Sequence, residues 1–266
     1  MLAKMPTRQA GVTLTGLMVG SAVGLLVLSG VLAVYVITAK GAADNIAQAR
    51  LNQELRALME IMQEDVRRAG YAATQPDTDN DGDGDKDSDD LIYNPFTSGI
   101  NDLATGAYTG AAANSCITYT YNADDDSPPR IGACSTCTPT AAPFDAVPYD
   151  TGNVEMFGFR LRDGAVEMRT GVSSASESTF DCNSGSWEDV TSSTVTVTHL
   201  LFSLSTTSIN LNEAKAHGDA CTTGDPCQYV RQVSIELGGE ATSDPEMEQT
   251  IRETVSIRND RYEITP

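Results

Sequence analysis

The chain has few basic side chains. It contains 17 Lys and Arg residues against 37 Asp and Glu residues, and its formal net charge is −20 at pH 7. Proteins that bind nucleic acids neutralise phosphates with Lys and Arg, so this acidity argues against a nucleic-acid partner. It favours a solvated surface or the binding of cations.

Motifs of catalytic sites are also missing. The sequence has no HExxH zinc motif and no glycine-rich phosphate loop. Its two histidines are His199, in a strand-like segment, and His217, in a polar loop, and no motif links either one to a nucleophile. We therefore expect a protein that is not an enzyme.

Charged side chains are absent between Arg8 and Lys40. At about 1.5 Å per helical residue, the part from Leu17 to Ala39 is long enough to cross a hydrocarbon core of about 30 Å. A membrane-spanning helix is therefore predicted. A cleaved secretory signal is the alternative, but its apolar run has only about 7–15 residues, and small-residue exits occur here only around Ala39 and Ala43.

The junction before the apolar stretch has a pattern of its own. A short basic leader, residues 1–11, ends in Gly11, and the apolar helix pattern of residues 12–39 begins at Val12. The junction resembles the class III leader of type IV prepilins, which a prepilin peptidase cuts after the glycine before it methylates the new amine. The resemblance implies cleavage between Gly11 and Val12. It rests on Gly11, Thr13, Leu14, Leu17, Met18 and Val19.

The fifth residue of the implied mature chain departs from this resemblance. Most pilins have a glutamate there, whereas this chain has Gly16. In the family, that carboxylate neutralises the terminal amine of a neighbouring subunit inside the apolar filament core. A buried charge without a partner is costly, so we expect a subunit that lacks the acid to occupy a special position such as the tip. The alternative is a neutral variation in a minor component whose head directs its incorporation.

Residues 40–70 carry the pattern of an amphipathic helix. Apolar residues recur mostly at three- or four-residue steps, charged residues occupy the remaining positions, and Gly70 supplies a stop. The end of this segment resembles the helix end of minor pilins related to PilW, which implies docking on a sheet. The apolar face consists of Ile46, Leu51, Leu55, Leu58, Met62, Val66 and Ala69.

Residues 71–150 are predicted to form an insertion that begins with an acidic stretch and contains cysteines. Six aspartates fall at positions one, three, five, seven, nine and twelve of a calcium loop, with Gly84 at the sharp turn. Clustered carboxylates repel one another unless a cation neutralises them. We therefore expect Ca²⁺ binding, with a solvated acidic linker as the alternative. The predicted ligands are Asp79, Asp81, Asp83, Asp85, Asp87 and Asp90.

Six cysteines in a chain that crosses a membrane indicate an oxidising compartment and predict three disulfides. Cys221 and Cys227 are the best single pair, because the residues between them can turn tightly. The CxxC of Cys134 and Cys137 lacks the strand-to-helix context of a redox site, and no second pair has zinc-site spacing. The pairing among Cys116, Cys134, Cys137 and Cys182 stays open.

From residue 151 to residue 266 the pattern changes to β-structure. Asp163-Gly164 predicts a hairpin between strands at 155–162 and 165–169. Further strands are predicted at 116–121, 194–205, 229–237 and 250–258, and Gly238-Gly239 and an acidic turn are expected to separate the last two. Four tyrosines either form a binding face or cover a sheet: Tyr93, Tyr108, Tyr119 and Tyr121.

The order of a long helix followed by these strands resembles PilW-type minor pilins and the related type II secretion pseudopilin GspJ. The resemblance implies an α+β, type IV pilin-like fold and a minor pilin that helps to initiate pilus assembly at or near the tip. Its partners would be other minor pilins, the major pilin and prepilin peptidase. It would lie in the inner membrane, with its head outside the cytoplasm, before it enters the extracellular pilus. The alternatives are a pilus-tip adhesin and a type II secretion pseudopilin.

The calcium loop is directly testable. We expect the purified protein to melt at a higher temperature in calcium than in chelator, because the ion binds only the folded loop. Asp90 at position twelve closes the loop less well than glutamate, so we expect a Kd of about 10⁻⁴–10⁻³ M. Calorimetry and thermal melting of wild type and an Asp79→Ala/Asp83→Ala variant measure this. If both proteins melt alike with and without calcium, the segment is an acidic linker.

Overall fold

The computed structural model describes residue 11 and residues 13–72, 94–97, 99–123, 155–171, 180–212, 214–215 and 218–265. Helix α1 covers Leu14–Val66, and two short 3-10 turns lie at Pro95–Thr97 and Gly99–Asn101. The chain divides into two compact units, residues 1–49 and residues 50–266. The strands within the described ranges are β1 Ala104–Gly106, β2 Cys116–Thr120, β3 Met156–Arg162, β4 Ala165–Gly171, β5 Ser186–Asp189, β6 Val195–Asn210, β7 Pro226–Ala241, β8 Asp244–Ser256 and β9 Arg261–Ile264.

The described strands form two antiparallel sheets. The first has five strands in the order β1-β2-β3-β4-β5. The second has β6, β7 and β8 side by side, and β9 pairs with the start of β7 beyond the end of β8. Because β2 lies between β1 and β3, the part of the chain around residues 104–120 belongs to the head sheet. Two strands of the predicted insertion 71–150 thus pair within the first sheet.

The last part of α1 supplies the centre of the second unit's core. Leu51, Leu55 and Val66 are almost completely buried, in one cluster with side chains from both sheets. Among these sheet residues are Phe159 of β3 and Phe202 of β6. Six of the seven residues of the predicted apolar face are buried: Leu51, Leu55, Leu58, Met62, Val66 and Ala69.

The seventh residue of that face, Ile46, was assigned wrongly. Its side chain is 55% exposed, and it belongs to the first compact unit. It also stands at the one five-residue step of the pattern, just before Leu51. The buried stripe of the head therefore begins at Leu51.

The hairpin between β3 and β4 confirms its prediction. Asp163 and Gly164 have φ values of 50° and 80°, the positive values that a tight hairpin turn requires at both central residues. The register pairs Arg162 with Ala165 and Phe159 with Met168. This turn places the buried aromatic residue of β3 directly opposite an apolar residue of β4.

Gly238 and Gly239 lie within β7, so the expectation that they separate the strands predicted at 229–237 and 250–258 is wrong. Strand β7 continues through both glycines to Ala241, which pairs with Asp244 of β8. A Cβ at Gly239 would lie 3.1 Å from Leu55 Cδ2, and one at Gly238 would lie 2.0 Å from the His199 ring. The two glycines are needed because the helix and an imidazole approach the strand closely, which is a use of strand glycine distinct from turning.

The chain leaves α1 through a left-handed glycine. The helix ends at Val66, and Gly70, with φ of 76°, donates its N–H to the Thr120 carbonyl oxygen over 2.8 Å. This hydrogen bond joins the segment after the helix to the end of β2. The predicted stop at Gly70 is thereby confirmed, with regular helix ending four residues earlier.

Two disulfides join described segments. Cys116 of β2 is bonded to Cys182, which lies shortly before β5. Cys221 is bonded to Cys227, the pair that the sequence favours, at the start of β7. Cys134 and Cys137 lie outside the described residues, as does the whole predicted calcium loop. A long apolar helix on antiparallel sheets confirms the expected α+β, pilin-like fold.

Leu55 is a direct test of how much the helix contributes to the head. We expect Leu55→Ala to lower the free energy of unfolding by about 2–5 kcal/mol, because it opens a cavity between α1 and β7. Ile61→Ala is the matched control on the same helix, since Ile61 is 45% exposed, and it should change stability by only about 0.5 kcal/mol. Denaturant unfolding followed by circular dichroism measures both. Equal losses would contradict the packing described here.

Candidate functional site

The first part of α1 has an apolar surface on every side. Every residue from 13 to 40 is exposed, including Leu26 at 74% and Ile37 at 73%. No charged side chain occurs between Leu14 and Ala39. A helix that is apolar all round needs lipid or other apolar helices as its surroundings. By length and composition, α1 can cross a membrane.

Three hydroxyl groups of this segment donate hydrogen bonds within the helix itself. The hydroxyls of Ser21, Ser29 and Thr38 donate to the carbonyl oxygens of Met18, Leu26 and Val34 over 2.8–2.9 Å. Each of these three hydroxyl protons is therefore hydrogen-bonded even in an apolar environment. The segment is therefore chemically suited to a membrane or to the core of a helical filament.

The start of α1 lies next to the predicted cleavage site. Thr13 caps the helix, because its Oγ1 accepts a hydrogen bond from the Gly16 N–H over 3.3 Å and its carbonyl oxygen accepts one from Leu17. Gly11 is exposed and lies outside the helix, and no atom is within 4 Å of the position of its missing Cβ. Val12 is not among the described residues. The sequence motif did not predict the role of Thr13 as the cap.

At its other end, α1 is joined to the first sheet by a carboxylate. Asp65 accepts hydrogen bonds from the hydroxyls of Tyr119 and Tyr121 over 2.6 and 2.7 Å. The two tyrosines alternate along one strand direction and so project from the same face of the sheet. Tyr119 is fully buried and Tyr121 is 6% exposed. These two tyrosines therefore cover the sheet and hold the helix, and they do not form a binding face.

Tyr108, another of the four tyrosines that the sequence singles out, has a different partner. The centre of the Tyr108 ring lies 4.6 Å from the guanidinium carbon of Arg160. The centre of the Trp187 ring lies 4.3 Å from the same carbon. Arg160 is 3% exposed and pairs with Glu167 over 2.6 Å. This arrangement neutralises a buried cation and supports β3, so it too is structural. Tyr93 lies outside the described residues.

Burial raises the pKa of Tyr119 well above its usual range, and the neighbouring Asp65 carboxylate raises it further. The pKa of Tyr121 is raised for the same two reasons, in the same order. Both hydroxyls therefore keep their protons and act as donors to Asp65 throughout the physiological range. Sequence reasoning missed the role of Asp65, because its two tyrosine partners are 54 and 56 residues away along the chain.

No catalytic or metal-binding arrangement occurs among the described residues. Within those ranges, no group of three or more His, Cys, Asp or Glu side chains is placed to hold a metal ion. The His199 ring lies over Gly238, and its Nε2 is 3.6 Å from Glu236 Oε1. His217 and the aspartates of the predicted calcium loop are outside these ranges.

An N-terminal helix that is apolar all round before it enters the core of an antiparallel-sheet head fits a pilin-like fold with a membrane anchor. The family model of PpdB, prepilin peptidase-dependent protein B, matches residues 44–257. This match covers well over half of the chain, and the chain belongs to that family. It is thus a type IV pilus-related protein. Neither the curated proteins nor the solved structures gave a match.

The tyrosine pair predicts a loss of stability in alkaline solution. Tyrosines whose folded pKa is raised stabilise the protein fully below the unfolded pKa of about 10, and this contribution is lost as the pH rises above it. We expect the unfolding free energy to fall above pH ~10 by up to about 1.4 kcal/mol per pH unit for each tyrosine. Denaturant unfolding at a series of pH values measures the slope.

The Tyr119→Phe/Tyr121→Phe variant is the matching test. It should lose about 1–3 kcal/mol at neutral pH, because Asp65 loses its donors, and its stability should fall less steeply above pH ~10. Tyr262→Phe, at a residue that is 39% exposed, serves as control. An unchanged slope in the double variant would show that other groups cause the alkaline loss.

Proposed function

We propose that this protein is a minor pilin of the PilW type that takes part in initiating type IV pilus assembly and sits at or near the pilus tip. The observation that carries the proposal is the single helix Leu14–Val66. Its first part has no charge and is exposed on all sides, and its last part fills the core of the head. This one helix therefore supports both an anchor in apolar surroundings and a folded head. A subunit that is assembled from a membrane requires both.

Membership of a prepilin peptidase-dependent family supports processing at the start of this helix. We propose that prepilin peptidase cuts between Gly11 and Val12 and that the new amine is methylated. The cut would leave Val12 and the capping residue Thr13 ahead of the first helical turn. Before assembly the protein would lie in the inner membrane with its head outside the cytoplasm.

The proposed tip position rests on the first turn of α1. That turn contains no acidic residue, and Gly16 occupies the fifth position after the proposed cut. A subunit repeated along the shaft would leave each buried terminal amine without a carboxylate, which is a large cost in an apolar core. A subunit present in few copies avoids that cost. Its partners would be other minor pilins and the major pilin.

The calcium loop at Asp79–Asp90 is part of the same proposal. Aspartates at alternating positions, with Gly84 at the turn, supply the oxygen ligands that Ca²⁺ prefers. Binding would order the connection between the helix end and the head and stabilise the head by linkage. The support is the sequence pattern together with the net charge of −20.

The processing step is tested by Gly11→Arg in cells that lack the wild-type gene. We expect an uncut precursor in the inner membrane and a strong loss of surface pili, because the peptidase requires the small residue at its cut. Gly20→Ala is the matched control, since no atom lies within 4 Å of its Cβ position. N-terminal mass spectrometry of protein from purified pili reads the cut. A mature chain that begins near Lys40 would contradict the proposal.

Immunogold labelling of the same pili tests the position. Label confined to filament ends supports a tip subunit, and dense label along the shaft contradicts it. Deletion of residues 74–150 tests the adhesin alternative, which normal pili with loss of surface attachment would favour.

A further inference from the structure

The outer edge of β6 changes character halfway along the strand. In the first half, two N–H groups of β6 donate to backbone outside the second sheet. The Val197 N–H donates to the Gly164 carbonyl oxygen over 2.7 Å, and the Phe202 N–H donates to the Asn114 carbonyl oxygen over 2.8 Å. After Phe202, no such neighbour occurs among the described residues. The second half of β6 therefore has a free edge within the described structure.

The hydrogen-bond pattern between β6 and β7 determines which backbone groups of β6 point away from β7. The Phe202 N–H faces away from β7, whereas the Leu211 N–H donates to Pro226 of β7 over 2.9 Å. The register is continuous from Leu200 to Asn210, so even-numbered residues direct their N–H and C=O groups outward. Leu204, Thr206 and Ser208 are all exposed, and none of the described residues accepts a hydrogen bond from their N–H groups. We name this stretch the open β6 edge, residues 203–209.

The other outer strands of the two sheets are protected in recognised ways. Strand β1 has three residues, and β5 has four, two of which are Glu188 and Asp189. Short edge strands and charged edge residues both hinder pairing with another chain. The outer strand β8 contains a proline and five charged residues: Asp244, Glu246, Glu248, Arg252 and Glu253.

The open β6 edge has none of these protections. Its residues read SLSTTSI, without charge, proline or glycine. The β-branched residues favour the extended conformation. Leu204 is the large apolar side chain of this edge that is exposed, at 37%. An edge strand of this kind can pair with one more strand. Because β8 at the opposite edge is charged and residues 203–209 are not, a specific partner can bind at this edge within the described structure.

We infer that the open β6 edge binds an extended segment of a different protein, which adds a strand to the four-stranded sheet. One extended backbone can pair with the outward N–H and C=O groups of Leu204, Thr206 and Ser208 in place of water. An apolar side chain of the partner would lie beside Leu204, and small polar ones beside the Ser and Thr residues. The inference rests on backbone geometry and does not depend on the proposed pilus function.

Charge identifies the occupant as another protein and not a second copy. Two copies would each bring a formal net charge of −20 to the contact. Such like charges oppose self-association, whereas a segment that carries basic residues is attracted. Because residues 203–209 are uncharged, the partner segment is uncharged where it pairs with them and has its basic residues at its ends.

The test uses the full-length protein in detergent micelles and a synthetic peptide of alternating Thr and Val with Lys at both ends. We expect the peptide to slow amide hydrogen exchange at Leu204, Thr206 and Ser208 and to leave β8 unchanged. Thr206→Pro removes an outward N–H without removing a bond to β7, and it should weaken peptide binding about tenfold or more. Thr206→Val keeps the N–H and the side-chain shape and should bind like wild type.

Exchange protection of β7 in each variant verifies that the sheet is intact, and Ser208→Pro provides a second variant if Thr206→Pro disturbs it. Absence of peptide-dependent protection in β6 would overturn the inference, as would equal binding by the Pro and Val variants. A dimer of the full-length protein that Thr206→Pro abolishes would also overturn it, because the occupant would then be a second copy.

Discussion

The fold depends on burying one stripe of a single helix against two sheets. Leu51, Leu55 and Val66 are in one apolar cluster with residues of both sheets, and Gly239 is required because the helix lies so close to β7. Each fully buried side chain of this size contributes roughly 1.5–3 kcal/mol relative to exposure. The same helix is apolar on all sides before residue 40, so the element that anchors the protein is also the element around which the head folds.

Polar contacts then determine how the helix end meets the head. Asp65 is bonded to both Tyr119 and Tyr121, and Gly70 is bonded to the end of β2. The two hydroxyls donate to both oxygens of this half-buried carboxylate, so neither oxygen is left without a partner. Apolar burial provides most of the stability, while these directional bonds fix the helix against one strand at one position.

Much of the fold was accessible from the sequence because it depends on local patterns. The three-and-four spacing of Leu51, Leu55 and Leu58 and the Asp163-Gly164 turn each identify an element from neighbouring residues alone. The role of Gly238-Gly239 was not accessible, because close approach of His199 and Leu55 is a tertiary fact. For the same reason Asp65 escaped notice: its partners are more than fifty residues away along the chain. The cleavage site between Gly11 and Val12 stays a prediction from a local motif.

The Cys116–Cys182 disulfide has a mechanical consequence for a protein that is held by its N-terminal helix. It closes a stretch with a sequence separation of 66, which includes the hairpin of β3 and β4. Fully extended, that stretch would add about 220 Å of contour length at roughly 3.3–3.6 Å per residue. Under tension between its two ends, the chain cannot release this length while the disulfide is intact. A head unfolded by force would therefore extend by that much less, and the β3–β4 hairpin would stay within the closed loop.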